Sequence, residues 1–163
     1  PLCVDRPKDK TSQKNYSKNA TKIALMNVYK TNNRFILDTS AIFALIEDEE
    51  GANRVEQILK KHDVYISWIA LTELTYISQQ ENGIEIALQR YAIVKQLPAT
   101  IIWNADEPTL LTAARLKAEH RLSFADSIIA SMAIQYKAIL LHKDPEYEFL
   151  KNKLEMEILP YKK

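Results

Sequence analysis

The feature of this sequence that most constrains its fold is the alternation of short apolar segments with longer helical ones. Residues at helical spacing fill the intervals between the apolar segments. The apolar segments are rich in β-branched, aliphatic and aromatic residues and predict strands at 34–38, 63–67, 100–103, 138–142 and 156–159. Strands that alternate with helices form parallel βαβ units. The sequence therefore predicts an α/β fold, a three-layer α/β/α sandwich with a mainly parallel four- or five-stranded sheet.

Polar residues, proline and glycine mark the ends of several predicted helices. Ser40 is the predicted N-cap of the helix after the first strand, and Ser123 is that of the helix before the fourth strand. Asp106 is a third predicted N-cap, and Pro108 falls in the first turn that follows it. Gly83 ends or interrupts the helix after the second strand.

Composition limits the class of protein. The chain has 163 residues, of which 47% are hydrophobic, enough for one domain with a core. Its apolar runs are too short to span a membrane, and its first residues lack the apolar segment of a secretory signal. A single cysteine, Cys3, excludes an internal disulfide and suits a reducing compartment. We therefore expect a cytoplasmic protein with no membrane association.

Charge is divided unevenly along the chain. Residues 1–34 carry a net charge of +6, and the remainder carries −5. We predict that residues 1–33 form a basic, disordered extension and that residues 34–163 form the folded domain. The extension either contacts nucleic acid or is simply solvated. Met26, shortly before the first strand, is a hypothetical natural start.

Four acidic residues fall near the carboxyl ends of predicted strands. Asp38 closes the first strand, and Glu73 lies one turn into the helix after the second strand. Asp126 is in the first turn after Ser123, and Asp144 follows the fourth strand. Each has an ordinary alternative as a helix cap, a turn residue or a solvated helix residue. Parallel strands, however, present their carboxyl ends at one edge, where α/β proteins bind ligands. Together the four acids predict one shared site.

Electrostatics gives this shared site a chemistry. Two carboxylates about 4 Å apart repel by roughly 4 kcal/mol at an effective dielectric constant near 20. A set of four therefore needs protons, basic partners or a cation. Oxygen ligands without His or Cys select Mg²⁺ or Mn²⁺. Such an ion lowers the pKa of a bound water and stabilises charge that develops on phosphorus, so a site of this kind suits a substrate that carries phosphate.

Four sequence blocks resemble the PIN domain family: "ILDTSAIFAL", "ISWIALTELTYI", "LSFADSIIASMAI" and "AILLHKDPEYE". Within that family the chain is similar to the ribonuclease toxins of VapBC-type toxin–antitoxin pairs. The resemblance implies that Asp38, Glu73, Asp126 and Asp144 gather Mg²⁺, with Mn²⁺ as a possible substitute, for RNA cleavage. It also implies a homodimer and a cognate antitoxin. Helical segments 69–81 and 84–96 are candidates for those contacts, although their apolar faces could equally belong to the core.

The same resemblance assigns auxiliary positions. Thr39 or Ser40 corresponds to a hydroxyl that helps to orient the metal or its water, and Glu146 corresponds to a less essential second acid. The sequence departs from the family at His142, where Thr or Ser is usual. This imidazole could form a hydrogen bond, contact a phosphate or fill space.

RNA binding is weakly indicated. The candidate cations at the rim of the site are Arg121, Lys143 and Lys95. Trp68 and Trp103 follow strand ends and could stack on an unpaired base or pack against the domain.

Four other functions compete with this prediction. A catalytically inactive PIN-like adaptor for RNA or protein and a non-toxin PIN nuclease of RNA processing remain alternatives. A haloacid-dehalogenase-like phosphotransferase is disfavoured because Ser40 stands where a second acid is needed. With two glycines in the whole chain, Gly51 and Gly83, there is no glycine-rich loop for a dinucleotide.

Overall fold

A computed structural model of the protein describes residues 33–161. Nearly all of the predicted N-terminal extension, including Cys3 and Met26, lies outside these residues. In chain order the elements are β1 (Arg34–Leu37), α1 (Thr39–Ile46), α2 (Ala52–Lys61), β2 (Asp63–Ser67), α3 (Trp68–Asn82), α4 (Ile84–Val94), β3 (Thr100–Ile102), α5 (Glu107–Glu119), α6 (Phe124–Tyr136), β4 (Ile139–His142), a 3₁₀ helix (Pro145–Leu150) and β5 (Met156–Ile158).

The five strands form one parallel sheet in the order β3-β2-β1-β4-β5. The predicted parallel sheet flanked by helices is thus confirmed. From β1 the chain moves outward through β2 to β3 and then returns to place β4 on the other side of β1. The strand order therefore reverses between β1 and β4. In sheets of this kind the crevice outside the carboxyl ends at such a reversal is the usual ligand site.

The central strands are buried on both faces, which explains their continuous apolar sequence. Ile36, Leu37, Leu140 and Leu141 have no exposed surface. Helix α6 is unusual because all its residues from Ala125 to Ala133 are buried, polar ones included. Its polar groups need partners inside the protein, and Ser131 donates to the carbonyl of Thr109 at 2.6 Å.

Element boundaries differ from the prediction in small but physical ways. The prediction of Ser40 as the N-cap of α1 is wrong, because Asp38 caps this helix and accepts a hydrogen bond from the Ser40 N–H at 3.0 Å. A carboxylate two residues before an unpaired N–H reaches it as well as a serine would. Helix α4 ends at Val94, two residues before the end of the predicted segment 84–96, and turns fill the interval before Pro98. Caps at Asp106 and Ser123 are confirmed.

Among the described residues, none of the helices combines the length and apolar character that crossing a bilayer requires.

Candidate metal centre

The candidate site lies beyond the carboxyl ends of β1 and β4. Asp38 follows β1 directly, and Asp144 follows β4 and caps the 3₁₀ helix. Asp126 occupies the first turn of α6, and Glu73 lies in the second turn of α3. Each acid therefore belongs to a different crossover of the sheet, and the topology brings the segments to one edge.

Asp38 is the most enclosed of the four acids, with 3% of its surface exposed. Its Oδ2 accepts hydrogen bonds from the Ser40 N–H at 3.0 Å and from the Ser40 hydroxyl. Its Oδ1 accepts from the Tyr147 hydroxyl at 2.9 Å. Burial raises the pKa of Asp38 to about 6, the Asp126 charge adds to this, and the Ser40 and Tyr147 hydrogen bonds oppose it. The carboxylate is held in position at a cost in solvation.

Asp126 is fixed by the start of its own helix. The Asp126 N–H donates to the Ser123 hydroxyl at 3.0 Å, and the Ser123 N–H donates to Asp126 Oδ2 at 3.3 Å. This reciprocal pair is a capping box. The other carboxylate oxygen, Oδ1, accepts from the Tyr147 hydroxyl at 3.1 Å. One phenol therefore contacts both Asp38 and Asp126.

Glu73 approaches the site from α3. Its Oε2 accepts a hydrogen bond from the Thr39 hydroxyl at 2.7 Å. Burial raises the pKa of Glu73, the Thr39 hydrogen bond opposes this, and the negative charges of Asp38, Asp126 and Asp144 raise it further. All three of the other acids thus act on Glu73 electrostatically, as a shared site requires.

Asp126, Asp144 and Glu146 form the tightest group of candidate ligands. One carboxylate oxygen from each lies within 4.8 Å of the others. Carboxylate oxygens this close together are within reach of one divalent cation, so this group could hold one. Asp144 also accepts from the Glu146 N–H at 2.8 Å, which fixes the turn that carries both acids. Asp38 and Glu73 are outside this group of three, and Asp38 adjoins it through Tyr147.

The donor set fits a hard divalent cation. The candidate ligands are carboxylate oxygens: Asp126 is buried, Asp144 half-buried and Glu146 exposed. Burial, with repulsion from neighbouring acids as a smaller cause, raises the pKa of Asp38 and of Glu73. Among the described residues, His142 is the nearest histidine in sequence, and it is not placed to bind the same ion. Carboxylates with open positions toward solvent suit Mg²⁺ or Mn²⁺, which retain water ligands. Asp126, Asp144 and Glu146 are placed to hold such an ion, with Asp38 and Glu73 beside them.

His142 is buried and forms its hydrogen bond with the protein backbone. It has no exposed surface, and its Nδ1 lies 2.8 Å from the carbonyl oxygen of Asp144, so Nδ1 carries the proton and donates. Burial lowers the pKa of His142, which keeps the ring neutral. Of the roles left open for His142, the structure favours the hydrogen-bonding one, because a fully buried ring cannot contact a phosphate.

The predicted basic rim is smaller than expected. Lys143 donates from Nζ to Glu49 at 2.8 Å, and its side chain is only 10% exposed, so its charge is already paired within the protein. Lys95 lies over the ring of Trp103 at 5.3 Å, and Arg121 is exposed. Trp103 itself is 53% exposed, whereas Trp68 is half-buried.

Tyr147 is the residue of the site that sequence reasoning missed. It lies three positions after Asp144 in a segment that otherwise reads as a polar turn. Its aromatic ring favours a core position, which it does occupy, with no exposed surface. Nothing in the sequence pattern indicates that its hydroxyl reaches two acids that are distant along the chain.

Comparison with known proteins agrees with this architecture. The sequence matches the model of the PIN domain family over residues 35–152, and the chain belongs to that family. None of the curated proteins matches it significantly.

Several solved structures share the fold. VapBC2 from Rickettsia felis, bound to a DNA fragment from its promoter, matches with a TM-score of 0.65 at 22% identity, over 78% of this chain and 99% of that one. VapBC-1 from nontypeable Haemophilus influenzae matches with a TM-score of 0.61 at 20% identity, over 77% of this chain and 97% of that one. VapC20 from Mycobacterium tuberculosis, a sarcin–ricin loop cleaving toxin, matches with a TM-score of 0.59 at 16% identity, over 77% of this chain and 99% of that one.

Proposed function

We propose that this PIN-domain protein is a Mg²⁺-dependent endoribonuclease that hydrolyses RNA phosphodiester bonds, with Mn²⁺ as a substitute ion. The observation that carries the proposal is the convergence of acids at the strand-order reversal. Asp38 and Asp126 contact one hydroxyl, and Asp126, Asp144 and Glu146 have oxygens within 4.8 Å. Like charges held this closely favour a divalent cation as a binding partner.

Each acidic residue has a defined part in the proposed mechanism. Asp38, Glu73, Asp126 and Asp144 hold the ion together with Glu146, whose carboxylate oxygen lies within 4.8 Å of oxygens of Asp126 and Asp144. A divalent cation bound there supplies a water of lowered pKa and stabilises charge that develops on phosphorus. Near neutral pH, Asp38 is largely ionised, because its pKa is about 6, and is able to ligate.

The two hydroxyl residues of α1 orient these carboxylates. Ser40 holds one oxygen of Asp38, and Thr39 holds one oxygen of Glu73 at 2.7 Å. Both hydroxyls donate to carboxylates, so neither is free to attack a phosphate.

RNA is the substrate we favour. Trp103 is half-exposed beyond β3, and the Lys95 ammonium lies above its ring. An exposed aromatic ring suits stacking on an unpaired base, and a neighbouring cation suits the backbone phosphate.

We also propose that the protein is the toxin of a cytoplasmic toxin–antitoxin pair and works as a homodimer. The support is the fold shared with VapBC complexes, together with the surface of α4. On helix α4 the exposed fraction of the residue is 50% for Ile84, 55% for Leu88 and 53% for Ile93. Large apolar side chains clustered on one exposed helix favour a protein partner.

A cleavage assay tests the nuclease proposal. The full chain is incubated with total RNA and Mg²⁺, Mn²⁺ or chelator, beside Asp126→Asn and Glu73→Gln. We expect cleavage only with a divalent cation and a loss of at least 100-fold in both variants, as removal of a ligand or its charge implies. Glu81→Gln, an exposed acid on the same helix as Glu73, is the matched control and should cleave normally. Equal cleavage by all forms, or none by any, would remove the enzyme proposal.

Expression in a bacterial host tests the toxin proposal separately. We expect the unaltered chain to arrest growth and Asp126→Asn to leave growth unchanged at equal protein level. An active nuclease that leaves growth unaffected would instead favour a PIN nuclease of RNA processing.

A further inference from the structure

Tyr147 has an unusual position in the acidic site. Its hydroxyl lies 2.9 Å from Asp38 Oδ1 and 3.1 Å from Asp126 Oδ1. A phenol carries one proton, which is shared between two acceptors or given to one of them. A single side chain thus links the carboxylate that ends β1 to the carboxylate in the first turn of α6.

The ring of Tyr147 is held so that this hydroxyl stays in place. The residue has no exposed surface, and its ring lies 4.9 Å from the His142 ring in an edge-on arrangement. His142 in turn donates to the carbonyl of Asp144, the residue that caps the 3₁₀ helix on which Tyr147 lies. Tyr147 therefore ties the segment that carries Asp144 and Glu146 to the two buried acids.

The remaining hydrogen bonds show which oxygen is left for a cation. Each carboxylate oxygen offers about two lone pairs. Asp38 Oδ2 already accepts from the Ser40 N–H and the Ser40 hydroxyl. The lone pair of Asp38 that is left is on Oδ1, the oxygen that Tyr147 contacts. The Tyr147 hydroxyl occupies one lone pair of Oδ1 and thereby determines which lone pair of this oxygen is left for a cation.

We propose that Tyr147 is a positioning residue for the cation: its hydroxyl aligns Oδ1 of Asp38 with Oδ1 of Asp126 and remains hydrogen-bonded to them when the ion binds. This inference rests on the proposed function, because it requires a divalent cation among the acids. Partners that orient metal ligands usually contribute 10–100-fold to metal affinity. Removing the hydroxyl while keeping the ring should weaken binding by a factor in that range.

Calorimetric titration with Mn²⁺ and with Mg²⁺ tests the proposal on the full chain, without RNA. The variants are Tyr147→Phe, which removes only the hydroxyl, and Tyr65→Phe, which removes a hydroxyl in the middle of β2 as a matched control. Asp126→Asn is the reference for a lost ligand. We expect a 10–100-fold higher Kd for Tyr147→Phe, an unchanged Kd for Tyr65→Phe and no measurable binding for Asp126→Asn.

A second measurement separates positioning from packing. Thermal unfolding in chelator and in increasing Mn²⁺ reports both folding and affinity, since a bound ion raises the melting temperature according to its Kd. Tyr147→Leu, which loses the ring as well, should lose far more stability in chelator than Tyr147→Phe. If ring packing were the whole role, Tyr147→Phe would bind Mn²⁺ as tightly as the unaltered protein.

The outcomes distinguish the two proposals. If the unaltered protein binds neither ion, the proposed function fails and takes this inference with it. If it binds and Tyr147→Phe binds equally or more tightly, only the role of Tyr147 is wrong. A Tyr147→Phe chain that stays unfolded even in saturating Mn²⁺ would also overturn a role limited to positioning.

Discussion

Asp38 carries both a stability cost of this site and a part of its proposed function. It is nearly without water contact, beside a second acid, and its charge is balanced by hydroxyl and N–H donors from Ser40 and Tyr147 instead of a basic side chain. Such donors stabilise a carboxylate less than solvation and a cation together would. The raised pKa of Asp38 is the measurable sign that its charged form is incompletely stabilised.

The incomplete stabilisation of the Asp38 carboxylate predicts that stability depends on pH in the absence of metal. The pKa of Asp38 rises from its ordinary value of 3.8 to about 6 on folding. Between these values the folded state binds more protons than the unfolded state, so stability falls as pH rises. At 1.36 kcal/mol for each pKa unit, the loss is about 3 kcal/mol between pH 3.5 and pH 6.5. Glu73 acts in the same direction.

Asp38→Asn should remove this contribution. Its amide has the same shape, and its oxygen can accept the two Ser40 hydrogen bonds. In chelator at pH 7.5 we expect the free energy of unfolding of the variant to exceed that of the unaltered protein by about 1–3 kcal/mol. This difference should vanish near pH 4. Urea unfolding at both pH values measures it. A variant that is less stable at pH 7.5 would show that the Asp38 charge is compensated in the fold.

At the scale of elements, the ordinary and the functional interpretations of the acids turn out to be compatible. Asp38 caps α1, Asp144 caps the 3₁₀ helix, and Asp126 is the acidic member of the capping box of α6. A capping carboxylate uses part of its acceptor capacity for the helix and is held rigid by it. The helix starts therefore position the oxygens that remain for a cation.

This dual use predicts a measurable effect for Ser123, which contacts no proposed substrate. Ser123→Ala removes the hydroxyl that accepts from the Asp126 N–H. We expect a loss of about 1 kcal/mol in unfolding free energy, typical of a lost N-cap, and weaker Mn²⁺ binding because Asp126 is less well oriented. Chemical denaturation and calorimetry provide the two readouts. Ser123→Thr keeps a hydroxyl and should restore both; a Thr variant as weak as Ala would argue against the cap as the cause.

Most of the element pattern follows from local sequence, because hydrophobic period and capping chemistry are local properties. The five strands lie within one or two residues of their predicted bounds. The misplaced cap at Ser40 has a specific cause: the apolar pattern assigns Asp38 to the strand. In the structure β1 ends at Leu37, and Asp38 caps α1 with its side chain while its N–H still donates to the Leu141 carbonyl at 3.0 Å.

The parts of the site that sequence could not predict depend on contacts between distant segments. Tyr147 reaches Asp38 across 109 residues of sequence. Lys143 pairs with Glu49 across 94 residues. No local period encodes these contacts, so the sequence indicates neither the role of the tyrosine nor the ion pair of the lysine.

For the whole molecule, the proposed function requires an acidic domain to hold a polyanion. Residues after Arg34 carry a net charge of −5, so under this proposal a bound divalent cation offsets part of the repulsion of RNA. Binding through few lysines should depend only weakly on salt. The basic stretch before β1 could add phosphate contacts, but the acids, their orienting hydroxyls and Tyr147 all lie within residues 38–147.

This distribution predicts that a chain of residues 33–163 is a complete nuclease domain. The described hydrophobic core extends from Phe35 to Leu159. We expect the shortened chain to match the full chain in unfolding free energy within about 0.5 kcal/mol, as for changes outside the core, and to keep cation-dependent cleavage at physiological salt. Urea unfolding and the RNA cleavage assay measure the two. If cleavage by the shortened chain fell at physiological salt and recovered at low salt, residues 1–32 would be part of the RNA-binding surface, because only a lost phosphate contact responds to ionic strength in that way.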